Sequence, residues 1–404
     1  MLEKVLQNNM CAGCGLCESA FGSDKLKVEM NEEGFFRPNL TQNLTTEETE
    51  AFLKFCPGTT VKKEILPTPN YDGIWGEIYS SYIGASSDEK IRSEASSGGG
   101  ISTILVYLLE KKIVDAVIHV GASSEDPFMN IVKLSTTKEQ VVSNANSRYS
   151  PSAPLKNINE IVENLDFNSY AFVGKPCDVA ALRQYSEINP VVKEKVKYMI
   201  SFFCAGVPSI KATKDTVEAL AVDPNEVKKV DYRKEGWPGF FRVIDKKDRK
   251  YKLTYALTWM RLLGPRVQFR CKVCPDGIGH FSDIVCADGW DNFDNKGFPT
   301  FKNSPGKSLI ISRTLKGEEL LQDAISDDYL LKLNEIKDIR LIDKMQPGQM
   351  YKKQYHLVRR VALFLKTRHI LKTNKEFYLT ATFTKGPMAQ LKNFIGTFKR
   401  IKKA

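Results

Sequence analysis

Cys11, Cys14 and Cys17 stand at C-x2-C-x2-C spacing near the start of the chain. A loop this short can direct three thiolates at one iron-sulfur cluster while its backbone N–H groups hydrogen-bond the sulfurs. Gly13 and Gly15 have no side chains to keep the backbone away, Ala12 is small, and Leu16 is placed to pack over the bound group. A bacterial ferredoxin run would carry a fourth Cys-Pro a few residues on, but Phe21 occupies that position, so the run cannot serve two clusters. Cys56-Pro57 supplies the missing thiolate. It follows a predicted helix with Thr45 and Glu48 as its capping box and Phe52 and Phe55 as apolar residues before the break at Pro57. Cys11, Cys14, Cys17 and Cys56 then close one 4Fe-4S site. A zinc knuckle is the competing structure, but three cysteines at successive spacing suit a cubane better than the paired halves of a tetrahedral zinc site.

The sequence has nine cysteines in 404 residues. The opening MLEKVLQNNM has no apolar stretch of signal-peptide length, and no run approaches the roughly 18 to 20 apolar residues of a membrane span. The expectation is a cytoplasmic protein, where thiols stay reduced and grouped cysteines bind metals rather than pair as disulfides. Cys271 and Cys274 form a second pair, and Cys177 and Cys204 each end a predicted buried strand, 170–174 and 197–203. Strand ends of one sheet can meet although distant in sequence. The residues alone leave both readings of this set open, ligands or small buried side chains. Cys286, inside SDIVCADGW, is expected to be a core residue.

With 42% hydrophobic and 26% charged residues, the chain is long enough for two or three domains. The expected class is α+β or α/β. Residues 1–68 would form a small ferredoxin-like iron-sulfur domain. Residues 69–155 and 156–330 would form the two parts of a flavin-binding body with a mixed sheet, and 331–404 a basic helical extension. RSEASSGGG, 92–100, leads into a helix with Ile101, Ile104, Leu105 and Leu108 at helical spacing, followed by the strand VDAVIHV. A Ser/Gly loop at a helix N-terminus offers free N–H groups and a positive dipole to a phosphate of a flavin or nucleotide, although a surface turn would have the same composition. A helix capped at Thr136 with Glu139 follows, then the irregular segment SNANSRYSPSAP. After it YAFVG, CDVAALRQY, KYMISFFC and SIKATKDTVEAL alternate as strand and helix. Residues 241–253 are expected to be a hairpin turning at 246–248, which would make the sheet mixed. A last strand and helix fall at 308–314 and 318–325.

The formal charge of +11 would ordinarily suggest nucleic acid or an anionic surface as a partner. It is not evenly spread. Residues 350–404 carry 14 Lys and Arg against Glu376 alone, a net +13, which leaves −2 for the rest. Nucleic acid is therefore not expected as a partner of the body. A zinc-containing nucleic-acid binder would carry a basic, aromatic-interleaved patch outside the tail. Within the tail Met388, Leu391, Ile395, Phe398 and Ile401 recur at helical spacing, and a second amphipathic stretch spans 355–371 with Leu357, Val361, Phe364 and Leu365. Such helices lie on an anionic membrane, grip an acidic partner, or pack their apolar faces on the body. Packing on the body is the simplest expectation, with peripheral contact at the inner face of a membrane beside it.

Several stretches recur together in one order. They are the half-ferredoxin start, Ser96-Ser97-Gly98-Gly99 before a helix, Gly174-Lys175-Pro176-Cys177 with Ala181-Leu182-Arg183, and Phe203-Cys204-Ala205-Gly206. Tyr232-Arg233 with Gly236-Trp237-Pro238-Gly239 follows, then Cys271-Lys272-Val273-Cys274-Pro275-Asp276 with Asp283-Ile284. Over roughly residues 11–321 the chain resembles the coenzyme F420 hydrogenase/dehydrogenase beta-subunit family, which includes the 7-hydroxymethyl chlorophyll a reductases. The resemblance implies an FAD flavoprotein with two 4Fe-4S clusters, the second held by Cys177, Cys204, Cys271 and Cys274. It implies flavin contacts from Ser96, Ser97, Gly98, Gly99 and Gly100 and from the loop with Asn146, Ser147, Arg148 and Tyr149. Cys286 departs from the Gly or Ser that the family often has there. A cation at Lys175 would stabilise a reduced, anionic flavin, and a solvated strand-end lysine is the plainer reading.

The expected activity is an oxidoreductase passing electrons between a two-electron substrate at FAD and clusters wired to a redox partner protein or ferredoxin. The catalytic candidates are Lys175 and His280, and for His280, in PDGIGHFSD, a surface position is the simpler expectation. The resemblance leaves the substrate open. The basic tail favours relatives encoded with polysaccharide biosynthesis. The alternatives are an F420-dependent hydrogenase or dehydrogenase beta subunit, with F420 as substrate, or a non-catalytic electron-transfer subunit.

Overall fold

The computed structural model describes residues 2–65 and 68–401. Its centre is an eight-stranded sheet of β1 (Ser80–Ser86), β2 (Ala116–Ala122), β3 (Asn130–Ser135), β4 (Tyr170–Gly174), β5 (Val196–Phe202), β6 (Ile284–Asp288), β7 (Ser308–Ser312) and β8 (Leu330–Glu335). The spatial order is β8-β1-β7-β6-β5-β4-β2-β3. β2, β4, β5 and β6 run parallel. β3, β7, β1 and β8 join antiparallel, so the sheet is mixed. The inner strands are continuous apolar runs because both faces are covered, and every residue of SLIIS in β7 is buried. Edge strand β8 exposes all but Leu330.

Side chains of successive strand residues point to opposite faces. Ala171 of β4 therefore joins an apolar cluster with Ile104, Leu105 and Leu108 of helix Gly100–Glu110 and with Leu320 and Leu321 of helix Leu315–Ser326. Its neighbours Tyr170 and Phe172 join a cluster on the other face, with Val179 and Leu182 of helix Pro176–Ser186 and with Phe52 and Phe55 of helix Thr46–Phe55. In chain order we label these helices α1 (Thr46–Phe55), α2 (Gly100–Glu110), α3 (Pro176–Ser186), α4 (Phe269–Lys272), α5 (Leu315–Ser326), α6 (Pro347–Gln354), α7 (His356–Thr367) and α8 (Pro387–Arg400). Phe52 and Phe55 are each 1% exposed, and burying a side chain of that size contributes about 1.5–3 kcal/mol. They fasten the N-terminal cysteine segment to the body. The Thr45–Glu48 capping box opens α1 as expected, with Glu48 N donating to Thr45 Oγ1 at 3.2 Å and Thr45 N to Glu48 Oε2 at 2.8 Å.

Two local expectations need correction. The hairpin forms, Phe240–Asp245 against Lys250–Thr254, but with Val227–Lys234 it builds a separate three-stranded sheet. One face of it is solvated, as the alternating exposure of KYKLT shows. The mixed character of the main sheet comes from β1, β3, β7 and β8 instead. The cap of the helix Lys138–Ser143 is Thr137, which accepts from Gln140 N, while Gln140 Oε1 reaches back to Thr136 N at 2.7 Å. The box is displaced by one residue.

The extension closes against the N-terminal segment. Lys372–Thr373 pairs in parallel with Thr60–Val61. Asn374 exchanges two hydrogen bonds with the Lys63 backbone, both 2.9 Å. His369 Nε2 lies 2.8 Å from Gly58 O, and Ala362, Leu363 and Phe377 enter the apolar cluster of Phe52 and Phe55. Inward packing of the apolar stripes holds only in part. Arg359 donates to Lys272 O and to Asn393 Oδ1, both at 2.9 Å, and this turns Ala362 and Leu363 inward. Val361, Phe364 and Leu365 on α7 and Met388, Leu391, Ile395 and Phe398 on α8 are left exposed, while Ile401, beyond α8, is buried. No helix among the described residues is long and apolar enough to cross a membrane.

Candidate functional site

Cys11, Cys14, Cys17 and Cys56 line one small apolar cavity together with Leu2, Val5, Phe52 and Phe55. The loop reaches this shape because Gly13 and Gly15 adopt φ of +74° and +88°. A Cβ on Gly15 would lie 2.8 Å from Lys156 N, so the close approach admits no larger residue. Gly13 N donates to Cys11 Sγ at 3.4 Å. Burial pushes the Cys56 thiol up to about 12, with Cys11 adding to it, and pushes Cys17 well up, with Cys14 and Cys11 adding. Four thiols that face one another in an apolar surround ionise together only with a cationic group between them.

The second set is assembled by the sheet. Cys177 opens α3 just beyond β4, Cys204 follows β5, and Cys271 and Cys274 lie on and after α4. Val207 N donates to Cys271 Sγ at 3.4 Å, and Cys274 Sγ donates to Asp276 O at 3.1 Å. Burial raises Cys204 to about 12, with Cys271 and Cys274 contributing. Burial also raises Cys177, which Asp178, Cys204 and Cys274 push further while Lys175 opposes them. The four therefore sense one another's charge. Cys286 does not belong with them. Burial alone pushes it up to about 12, and it packs beneath Gly100 at the start of α2. Among the described residues no three His, Cys, Asp or Glu side chains converge as the ligands of a single metal ion would.

Beyond the carboxyl ends of β4, β5 and β6 lies a cavity of about 280 Å³, the position where open α/β sheets bind ligands. Ser96, Ser97, Gly99, Gly100, Asn146, Ser147, Arg148, Tyr149 and Lys175 line it, and so does Cys204 of the second set. Gly98 does not. Its N–H donates to Ser308 Oγ at 3.0 Å, and a Cβ there would meet Ser308 N at 2.6 Å, so it serves the packing of the loop on β7. Gly99, at φ +80°, caps α2 with no side-chain hydrogen bond of its own; Ser308 Oγ takes the Gly100 N–H at 3.3 Å, which leaves those of Ile101 and Ser102 for a ligand. Asn146 Nδ2 and Asp178 Oδ1 are buried without partners, and both residues line the cavity. Polar atoms in that condition point to a group that completes them.

Lys175 is not a solvated strand-end lysine. It is 8% exposed, ion-paired to Asp178 at 2.7 Å and hydrogen-bonded to Ser152 Oγ at 2.9 Å. Burial by itself would favour the neutral amine, but the Asp178 carboxylate outweighs it and holds the ammonium form. Arg148 spends its guanidinium on the protein, on Asn130 Oδ1 at 2.7 Å and Val230 O at 2.8 Å, so it shapes the wall of the cavity. His280 needs two corrections. It is 1% exposed rather than on the surface, and it stacks on Phe377 with ring centroids 3.9 Å apart. Burial, with Lys353 beside it, lowers it to about 3, so it is neutral near pH 7 and unsuited to giving up a proton there.

Sequence reasoning missed Arg233 and Asp288, which also line the cavity. They form a bidentate pair at 2.9 and 2.9 Å, and Trp237 Nε1 donates to the same carboxylate at 2.7 Å. Both residues sit in stretches singled out above, but no spacing ties positions so far apart.

With this geometry in view, the chain can be set beside known proteins. Residues 81–159 match the N-terminal part, and 167–338 the C-terminal part, of the coenzyme F420 hydrogenase/dehydrogenase beta subunit. The chain belongs to this family. The coenzyme F420 hydrogenase subunit beta of Methanococcus voltae is 26% identical over 302 residues, covering 72% of this chain and 98% of the relative. The F420-dependent formate dehydrogenase subunit beta of Methanocaldococcus jannaschii is 27% identical over 261 residues, 64% of this chain and 63% of the relative. The coenzyme F420-dependent sulfite reductase of the same organism is 24% identical over 357 residues, 83% of this chain, which spans half of that protein's length. A chain of the F420-reducing [NiFe] hydrogenase complex from Methanosarcina barkeri shares the fold, with a TM-score of 0.58, 21% identity and coverage of 75% of this chain and 97% of that one. These relatives are oxidoreductase subunits, which supports an electron-transfer role. They favour the F420-linked alternative over polysaccharide biosynthesis.

Proposed function

We propose that this chain is an FAD- and iron-sulfur-dependent oxidoreductase subunit that exchanges electrons between coenzyme F420 and a partner redox protein, through two 4Fe-4S clusters. The observation that carries it is a shared wall. Cys204 belongs to the second cysteine set and also lines the cavity at the strand ends, so a ligand of that cavity abuts the thiols directly. Cys11, Cys14, Cys17 and Cys56 would hold one cluster in a ferredoxin-like N-terminal domain, and Cys177, Cys204, Cys271 and Cys274 the other. The N–H groups of Ile101 and Ser102 at the start of α2 suit a pyrophosphate, and Asn146 Nδ2 offers a free donor. Lys175 and Arg233 place two buried cations on a cavity that gains negative charge on reduction, each fixed by a carboxylate, Asp178 and Asp288. A bound flavin supplies the exchange of electron pairs for single electrons that thiols and side chains cannot perform.

Anaerobic purification with iron, sulfide and flavin analysis tests this reading. The expected result is about eight iron and eight sulfide with one FAD per chain, and F420 reduction or oxidation coupled to a viologen dye. Zinc without flavin would end it. F420-independent turnover of another substrate would restore the polysaccharide-linked alternative.

The extension gives this subunit a place to be held. Its two outward apolar stripes, Val361-Phe364-Leu365 and Met388-Leu391-Ile395-Phe398, are flanked by Lys366, Arg368, Lys392 and Lys399. Lys366 Nζ donates to Phe398 O at 2.9 Å, which sets the two stripes side by side. A raised apolar surface within a +13 segment complements the anionic face of a bilayer, and peripheral docking there is part of the proposal.

A further inference from the structure

We propose that Arg270 is a positioning residue set between the two cysteine sets, a buried cation that raises the reduction potentials of both clusters and couples one to the other. This rests on the two-cluster reading above. Arg270 lies on α4, one residue before Cys271, and is 2% exposed. Its Nη2 donates to the carbonyl of Pro57, the residue after Cys56, at 2.7 Å. The same turn touches the first set a second time, where Gln268 Nε2 donates to Ala12 O, beside Cys11, at 3.4 Å. Cys271 N in turn donates to Gln268 O at 3.0 Å. A single hydrogen bond thus separates the backbone at a ligand of one set from the side chain next to a ligand of the other.

The arginine has a deficit that the cysteines can supply. Its Nε and Nη1 are buried without a partner, and among the described residues its side chain bonds only the Pro57 carbonyl. A guanidinium is a fixed cation, and burying one uncompensated is costly. Arg270 stands next to Cys271 in the chain and bonds the carbonyl that follows Cys56, so its charge borders both sets. Four thiolates around a cluster make a net anion, and each added electron makes it more negative. Arg270 therefore stabilises the reduced state on either side. When one electron passes between the clusters, one is reduced as the other is oxidised, no bond is made or broken, and the cation stays within reach of the charge throughout.

The test is a potentiometric titration of the anaerobically purified full chain, followed by the electron paramagnetic resonance of both reduced clusters, with iron and sulfide measured on every sample. Arg270→Gln should keep its iron and move both midpoints to lower potential, while Arg270→Lys, which keeps the charge and loses the fork, should hold both close to wild type. Full iron with unmoved midpoints in Arg270→Gln, or a shift of one cluster alone, overturns the proposal. So does an equal shift in Arg270→Lys, which would mark a structural role. If the Gln variant assembles no clusters, the Lys variant decides: full iron with both potentials held supports the proposal, and loss of iron overturns it. Wild-type protein without two clusters would remove the underlying reading itself, so the two failures are distinguishable.

Discussion

The two cysteine sets reach similar surroundings by opposite routes. The first is local. Three of its members share one loop, left-handed glycines shape that loop, and α1 with its capping box carries the fourth to it. The second is topological, since Cys177, Cys204, Cys271 and Cys274 come from the ends of β4 and β5 and from the turn around α4. They meet because β4 and β5 are parallel neighbours whose carboxyl ends point the same way. Cysteines gathered by a loop are free to stand apart from the rest of the protein. Cysteines gathered by a sheet must lie at the ends of its strands, and only the second set borders the cavity there.

The sharpest break of this comparison is to remove one thiol from each set. Cys14→Ser and Cys204→Ser should each lose about half the iron and erase a different one of two resonance signals. Only Cys204→Ser should also loosen bound flavin, as measured by flavin retained on gel filtration. Loss of both signals in either variant would mean the sets are not independent.

A smaller effect separates the cations beside the sets. Lys175→Met would strand Asp178 as an unpaired buried carboxylate, at a cost of about 3–5 kcal/mol in urea unfolding. Adding Asp178→Asn should return much of it.

Acid should act next. Outside the fold a histidine titrates near 6.5, while burial lowers His280 to about 3 and His119 to about 4. The unfolded chain takes these protons first as pH falls. The stability they contribute is complete above about 6.5 and drains away toward pH 3. Thermal midpoints recorded from pH 7.5 to 5 should fall, and His280→Gln should flatten the slope.

The smallest effect concerns the tail. Leu391→Asp with Phe398→Asp should weaken flotation with anionic vesicles by about 1–2 kcal/mol, roughly tenfold. Wild-type flotation no better on anionic than on neutral vesicles would point instead to an acidic protein partner.

Much of the strand and helix pattern was legible because the residues state it locally. YAFVG is β4 to the residue, and the Thr45–Glu48 box opens α1. What escaped was written in tertiary terms. Asn130–Ser135 and Leu330–Glu335 are edge strands with polar, exposed positions, and their sequences carry no apolar run to announce them. The cavity loop at 96–100 was visible as Ser and Gly, but nothing in it distinguishes Gly98, which packs on β7, from Gly99, whose left-handed φ opens the helix. Arg233 and Asp288 are 55 positions apart and meet only through the fold. The outward turn of the α7 stripe was hidden for a similar reason. Periodicity shows that a helix has an apolar side, while Arg359 and its partners decide which side faces inward.

The first and last strands of the sheet, β1 and β8, lie next to each other. A body that starts and finishes at one edge behaves as a cassette. Segments joined before Ser80 and after Glu335 emerge side by side, as the clasp between 60–63 and 372–374 shows. Such a unit can be spliced whole into a longer polypeptide without rethreading its sheet, which suits a family in which one relative is twice the length matched here.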